Sequence, residues 1–334
     1  MNDVTKLKRE LNAFVRRVAW FLGGLVCFSV VFYTWNQKLF QENGPVLPED
    51  AYIASCGASL SMYSLSDSII PGFINLSQEG RTGLSAFKTF QTVHKSNPQV
   101  QFYVFDFSVI GTIGYRDFSF LIPAFASMQF QQTYPIADIS DWSHYLIHPK
   151  YYLINLMNEE CVPNIHYLGK SLSKKEEVVD TDFPYLGKFD PKPFARNNWN
   201  PEAWNKRIEK FQWLTGEKHP LATTDLIYMD SIFNYAEREG LSVILYSGPI
   251  QRDIFPLIPG IYWKAYDELM QKARLQENFY VVDMTRLELP DSGYINFTHV
   301  NTFGSVKVSH AFRDSLEEAG IYKQLGMNLV NQYN

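Results

Sequence analysis

Two rhythms of apolar residues alternate along most of this chain. Short, dense apolar runs at 51–56, 101–109, 241–246 and 278–283 carry no helical spacing and are rich in aromatic and β-branched residues, so each predicts a buried strand. Between them lie stretches with apolar residues three or four apart. In 80–96, Leu84, Phe87, Phe90 and Val93 fall at three-residue steps and predict a helix. Further helices are predicted at 223–239 (closed by Gly240), at 262–276, and at 302–318 (ending near Gly320). Strands that alternate with helices predict an α/β fold, a parallel sheet covered by helices on both faces.

Two regions depart from that rhythm. Residues 117–220 are rich in aromatics, proline and polar residues and include Trp199, Trp204 and Trp213. They read as an insertion between strands, a partly helical cap. Its aromatics would line a sugar or acyl-chain groove, or form the cap's own core, and the second is the simpler account. Residues 39–50 hold two prolines, one glycine and three acids and read as a linker.

The N-terminus has a third pattern. Residues 18–35 carry no charge. At a helical rise of about 1.5 Å they would cover roughly 27 Å, close to a bilayer's hydrocarbon thickness. Trp20, Tyr33 and Trp35 stand near the ends, and Lys6, Lys8, Arg9, Arg16 and Arg17 precede the run. This predicts one transmembrane signal-anchor helix, the basic tail in the cytoplasm and the body periplasmic or extracellular. A cleaved signal peptide is the alternative, disfavoured by the length of the run and the want of a small-residue cleavage site close behind it. The expected organisation is a basic tail and anchor at 1–38, a linker at 39–50, and one domain at 51–334 with its cap.

Charge sharpens this division. The chain of 334 residues is 46% hydrophobic and 19% charged, a globular composition, with a net charge of −5. Residues 1–38 hold six Lys/Arg against two Asp/Glu, so the remainder, with 24 against 33, carries −9. An acidic body argues against nucleic acid as a partner. The three cysteines, Cys27, Cys56 and Cys161, show no metal-ligand spacing. Cys56 falls in a predicted core strand, which favours a free buried thiol over a disulfide with Cys161. No metal or cofactor is expected.

Candidate chemistry gathers at two strand ends. The first strand runs into Cys56-Gly57-Ala58-Ser59, a small-residue turn presenting a serine. The last runs toward Asn296-Phe297-Thr298-His299, just before the final helix. A serine on a strand-end turn and a histidine on a late loop are the nucleophile and base of many acyl-transfer enzymes. Alone, Ser59 is an ordinary turn serine, and His299 would cap the final helix through its loop. His310 reads as a helix-face residue. Asp106, at a strand end, would bind substrate or bond local backbone N–H groups. Asn75-Leu-Ser and Asn296-Phe-Thr also match glycosylation sequons.

These segments, in this order, resemble the SGNH (GDSL-like) hydrolase superfamily, and within it the membrane-anchored accessory proteins of cell-envelope O-acylation, of the alginate O-acetylation and teichoic-acid D-alanylation type. The resemblance spans roughly residues 51–115 and 225–318. It implies a three-layer sandwich, Ser59 as nucleophile and His299 as base. Phe73-Ile74-Asn75 through Gly80 matches the second block, implying backbone N–H groups of Ser59 and Gly80 as oxyanion donors, Gly80 opening a helix and Asn75 in support. Two departures stand out. The third block, Phe105-Asp106-Phe107-Ser108, lacks the family's oxyanion asparagine, and Asn296 stands where the family has aspartate. Either Asn296 itself orients His299, or Asp291 or Asp283 approaches it, or a backbone carbonyl stands behind the imidazole. The resemblance further implies an esterase or O-acyltransferase acting on acyl esters of an envelope polysaccharide, with a membrane-bound O-acyltransferase as partner. A degenerate domain that binds glycan or serves as a scaffold is the alternative, and a purely structural envelope protein a weaker one.

Overall fold

The computed structural model describes residues 2–42, 44–110, 132, 136, 186–192, 206, 209 and 223–327. The expected cap at 117–220 lies almost wholly outside these residues, as do Cys161 and the three tryptophans assigned to it.

The chain forms two compact units, Met1–Gly44 and Pro45–Asn334. The first is one helix, α1 (Asn2–Glu42). Among the described residues no helix is long and apolar enough to cross a membrane. The span expected at 18–35 therefore finds no support here, and several of its side chains fall outside the described residues. The expected linker is also divided differently. Its first residues continue α1, while Leu47 is buried on the body, its N–H donating to Asn97 Oδ1 at 2.7 Å.

The second unit is built on five parallel strands: β1 (Ile53–Ser55), β2 (Phe73–Asn75), β3 (Phe102–Asp106), β4 (Ser242–Ser247) and β5 (Phe279–Asp283), in the spatial order β2-β1-β3-β4-β5. Among the described residues it carries the α-helices α2 (Ser59–Ser64), α3 (Gly83–Ser96), α4 (Thr223–Glu239), α5 (Gly260–Arg274), α6 (Thr302–Glu318) and α7 (Ile321–Gln324). The α/β class is thus as the sequence predicts. The period of two explains the layers. Phe102 and Val104 join Ile53, Ile244 and Tyr246 against Val308 and Phe312 of α6. Tyr103 and Phe105 point the other way, onto Phe90 of α3, which also meets Tyr235 of α4. Phe312 is fully buried, so truncating it to alanine would cost about 3–5 kcal/mol.

Several boundaries move. The strand predicted at 51–56 keeps three residues, because the backbone turns away at Cys56 toward the helix that begins at Ser59. Two short elements, α2 and β2, escape the periodicity altogether; at six and three residues neither completes a pattern. Gly80 does not open a helix. It sits in a turn with φ 68°, which suits glycine, and the helix begins at Gly83 with Thr82 as its N-cap.

The strand order reverses at β1. From there the chain moves outward to β2, then returns past β1 to β3. Such a switch point leaves a crevice beyond the carboxyl ends of the two central strands. Ser59 lies just past the end of β1, and Asp106 closes β3.

Candidate active site

The turn after β1 leads into α2, whose first residue is Ser59. A six-residue helix has little stability of its own, and its neighbours fix both ends. At the C-terminal end, Asn75 Nδ2 donates to Ser61 O at 2.8 Å and Leu65 O at 2.7 Å, and Ser309 Oγ donates to Ser64 O at 2.8 Å. At the N-terminal end, Ala58 N–H donates to Asp106 Oδ2 at 2.6 Å, and Ser61 N–H reaches both Asp106 oxygens at 3.1 and 3.2 Å. Asn75 therefore supports the serine's helix from beneath. Its own oxygen accepts from Ser77 N–H at 3.0 Å.

The histidine arrives on the loop before α6. Asn301 caps that helix, accepting from Phe303 and Gly304 N–H groups at 3.0 and 3.1 Å, so His299 is left to another task than capping. A tight turn closes on Asn296, whose Oδ1 accepts from the N–H groups of Thr298 (3.0 Å) and His299 (2.9 Å). The same oxygen stands 3.0 Å from His299 Nδ1. On the far side of the ring, His299 Nε2 lies 2.8 Å from Ser59 Oγ. Tyr63 of α2 meets the imidazole edge-on, centroids 5.3 Å apart. Burial, with Glu79 adding to it, holds the Tyr63 phenol above its usual range, so it stays neutral.

Ser59, His299 and Asn296 thus form a connected row across 240 residues of sequence. Of the other carboxylates considered, Asp291 faces Gln251 Nε2 at 3.2 Å, and Asp283 accepts from Thr285 N–H and Oγ at 3.0 and 2.7 Å. The closest contact to Nδ1 is Asn296 Oδ1, with Thr298 Oγ1 farther off at 3.4 Å. The Ser59 N–H belongs to the first turn of α2, whose amides have no partner within the helix. The loop carrying Gly80 is drawn beside the turn by Gln78 N–H, which donates to Gly57 O at 3.3 Å.

Two features were not legible in the sequence. Arg81, 1% exposed, donates to Leu76 O at 2.8 Å and Cys56 O at 3.3 Å, tying the ends of β2 and β1 together. Burial lowers its pKa to about 10, against the opposing influence of Cys56 and Asp106, so it remains cationic at neutral pH. A lone arginine after a glycine gives no sign of such burial. Segment 186–192 is the second. Its backbone bonds to Leu76 (Gly187 N to O, 3.1 Å), to Met62 (Asp190 N to O, 3.0 Å) and, through Lys192 O, to Thr302 N at 2.7 Å. One strap joins the β2 loop, the serine's helix and the start of α6. It also places the Lys192 ammonium 5.2 Å from the Tyr63 ring centroid, in an ion pair with Asp190.

A cleft of about 1320 Å³ opens beyond β5, lined by Phe255, Trp263, Arg286, Asp291 and Lys307 among others; neither Ser59 nor His299 lines it. Among the described residues no group of His, Cys, Asp and Glu could hold a metal ion.

No protein-family model matches this chain, and no curated protein is significantly similar to it. Among solved structures, a protein provisionally described as a platelet activating factor from Streptococcus pneumonia is similar at a TM-score of 0.36 and 9% identity, over 91% of this chain and 98% of that one. A likeness at that level carries no argument about activity. The parallel α/β sheet rests on this chain's own strand pairing.

Proposed function

We propose that this chain is a serine acyl-ester enzyme, an esterase or O-acyltransferase, working with Ser59, His299 and Asn296. The observation that carries the reading is the 2.8 Å contact between Ser59 Oγ and His299 Nε2, with Nδ1 held by Asn296. In this arrangement Ser59 Oγ attacks the acyl carbonyl carbon while its proton passes to Nε2. The carbonyl oxygen becomes an oxyanion, for which the backbone N–H groups of Ser59 and Gly80 are the proposed donors. His299 then returns the proton to the departing alcohol oxygen, leaving the acyl group on Ser59. Water or a second hydroxyl repeats the sequence in reverse order, and the acyl group leaves as an acid or as a new ester. Asn296 oxygen fixes the Nδ1–H tautomer, as the amide does in Cys-His-Asn sites.

The proposed substrate class is acyl esters of a cell-envelope polysaccharide, with a membrane-bound O-acyltransferase as partner. Support comes from the family resemblance, from the uncharged run at 18–35 behind five basic residues, and from the contrast between a basic tail and an acidic body. These argue for a single-pass anchor with the body outside the cytoplasm. A second reading, a degenerate domain that binds glycan without turnover, is favoured by the amide at Asn296 and by Asp106 in place of a neutral donor.

Labelling with a fluorophosphonate serine probe separates the two. The enzyme reading expects labelling of the full-length protein that Ser59→Ala and His299→Ala both abolish. A folded wild type that takes no label establishes the degenerate reading instead.

A further inference from the structure

The carboxylate of Asp106 meets the nucleophile turn from an element 45 or more residues away. It accepts from Ala58 N–H at 2.6 Å and from Ser61 N–H at 3.1 and 3.2 Å, the amides on either side of Ser59. Bonds of backbone N–H to an ionised carboxylate are roughly twice as strong as neutral ones. A negative charge at a helix start is favoured by the exposed N–H groups there. The fit is close. A Cβ on Gly57 would stand 2.4 Å from Asp106 Oδ1, so only glycine lets the turn lie on the carboxylate. From the other side Arg81 grips Cys56 O and Leu76 O. The turn is held between a buried cation and a carboxylate.

This leaves a division of labour among the amides of Ala58, Ser59 and Ser61. The N–H groups of Ala58 and Ser61 go to Asp106. The Ser59 N–H lies between them, has no acceptor among the described residues, and belongs to the residue whose Oγ faces His299. A short helix with loose ends would let both the Ser59 N–H and Oγ wander, and misplacement by about 1 Å costs on the order of 100-fold in rate. We propose that Asp106 is the positioning residue of the nucleophile: its carboxylate clamps the amides flanking Ser59, so that Oγ meets His299 and the Ser59 N–H is offered to the oxyanion. This rests on the acyl-transfer reading of Ser59. It also accounts for the acid at the end of β3, where a donor side chain is missing: the carboxylate serves the turn and not the substrate.

The full-length protein tests this with two readouts. Fluorophosphonate labelling, resolved into a maximal rate and a half-saturating concentration, reports on Ser59. Amide hydrogen exchange at Ala58 and Ser61 reports on the clamp. Asp106→Asn keeps the shape and one acceptor oxygen; Asp106→Ala removes both. The expected result is a maximal labelling rate lowered about 10-fold by Asp106→Asn and about 100-fold by Asp106→Ala, with the half-saturating concentration unchanged. Exchange at Ala58 and Ser61 accelerates in the same order, while Val308 in α6 keeps its protection. Should Asp106→Ala not fold, Gly57→Ala displaces the same carboxylate and is expected to act as Asp106→Asn does. Folded variants that label at the wild-type rate, or whose Ala58 and Ser61 amides exchange as before, overturn the proposal. If wild type takes no label, the acyl-transfer reading falls, and exchange at those two amides alone upholds or overturns the clamp.

Discussion

Asn296 Oδ1 stands 3.0 Å from His299 Nδ1 and, through the same oxygen, accepts the backbone N–H groups of Thr298 and His299. The amide therefore orients the ring well but adds no negative charge to steady an imidazolium. In a Ser-His-Asp site the change from aspartate to asparagine costs about 10⁴ in turnover. Here the surroundings already supply backbone donors that a carboxylate would accept. Asn296→Asp is accordingly expected to raise the rate of fluorophosphonate labelling about 10-fold or more, and Asn296→Ala to lower it by a similar factor. A rate for Asn296→Asp at or below wild type would mean that this loop is built for the amide.

The strap at 186–192 leads to a second expectation. A Cβ on Gly187 would fall 1.7 Å from Ser77 O, a backbone atom that no rotamer change can move. Gly187→Ala must lift the strap from the β2 loop and break the Gly187 N–H to Leu76 O bond. Limited proteolysis is expected to cut this segment several-fold faster in the variant, with slower labelling of Ser59, while the unfolding midpoint moves by a few degrees. Unchanged cleavage and labelling would show that the strap's hold on Leu76, Met62 and Thr302 is inconsequential.

The sequence told much about the layers and less about the site's supports. Residues 241–246 and 101–109 were legible as strands because burial on both faces demands apolar residues at every position. The pairing of Ser59 with His299 was legible only as order along the chain, since each end of the row sits on a turn with no periodicity. The partners that hold them were not. Asp106 bonds backbone N–H groups, one of its two expected roles, but those of Ala58 and Ser61 far away in sequence and not local ones, and Arg81 turns its guanidinium to backbone carbonyls. Backbone groups leave no trace in a sequence, so neither contact has a complementary residue to be found. The start of α3 departs from the predicted one at Gly80 for a related reason, and β2 is too short to show a pattern. That start is set by the left-handed Gly80 and the Thr82 cap, and not by apolar spacing.

Cys56 lies at the end of β1, fully buried beside the nucleophile turn, and burial pushes its thiol up to about 12 despite the nearby Arg81 cation. The thiolate is the reactive form, so this cysteine should be inert in the folded protein. With Cys27 and Cys161 replaced by serine, a thiol reagent at pH 8 is expected to modify Cys56 only at the rate of global unfolding. The same shift gives a sign for stability. Below pH 9 the thiol is protonated in both states and contributes no pH dependence. Above pH 9 the unfolded chain releases the proton and the folded chain keeps it, so stability falls as pH rises toward 12, by at most about 1.4 kcal/mol per pH unit. Cys56→Ala should lessen that alkaline loss. Rapid modification of the folded protein at pH 8 would contradict the burial.

At the acid end the relevant group is His94, on α3. Its ring meets Tyr103 and Tyr235 edge-on, with centroids 6.4 and 6.0 Å away, and Nδ1 is buried with no hydrogen-bond partner among the described residues. Burial lowers its pKa below the ordinary 6.5, with Lys95 adding to this and Glu239 opposing it. Above pH 6.5 the imidazole is neutral in both states. As pH falls through 6.5 the unfolded chain takes up a proton that the folded chain resists, so the unfolded state gains and stability declines. The decline levels off only below the folded-state value, where both forms are charged. Denaturant unfolding of wild type and His94→Phe at pH 7.5 and pH 5.5 measures the effect. The variant, which keeps an aromatic ring between Tyr103 and Tyr235, is expected to lose less stability between the two pH values than wild type does. An equal loss in both would assign the acid sensitivity to other groups and leave His94 as packing alone.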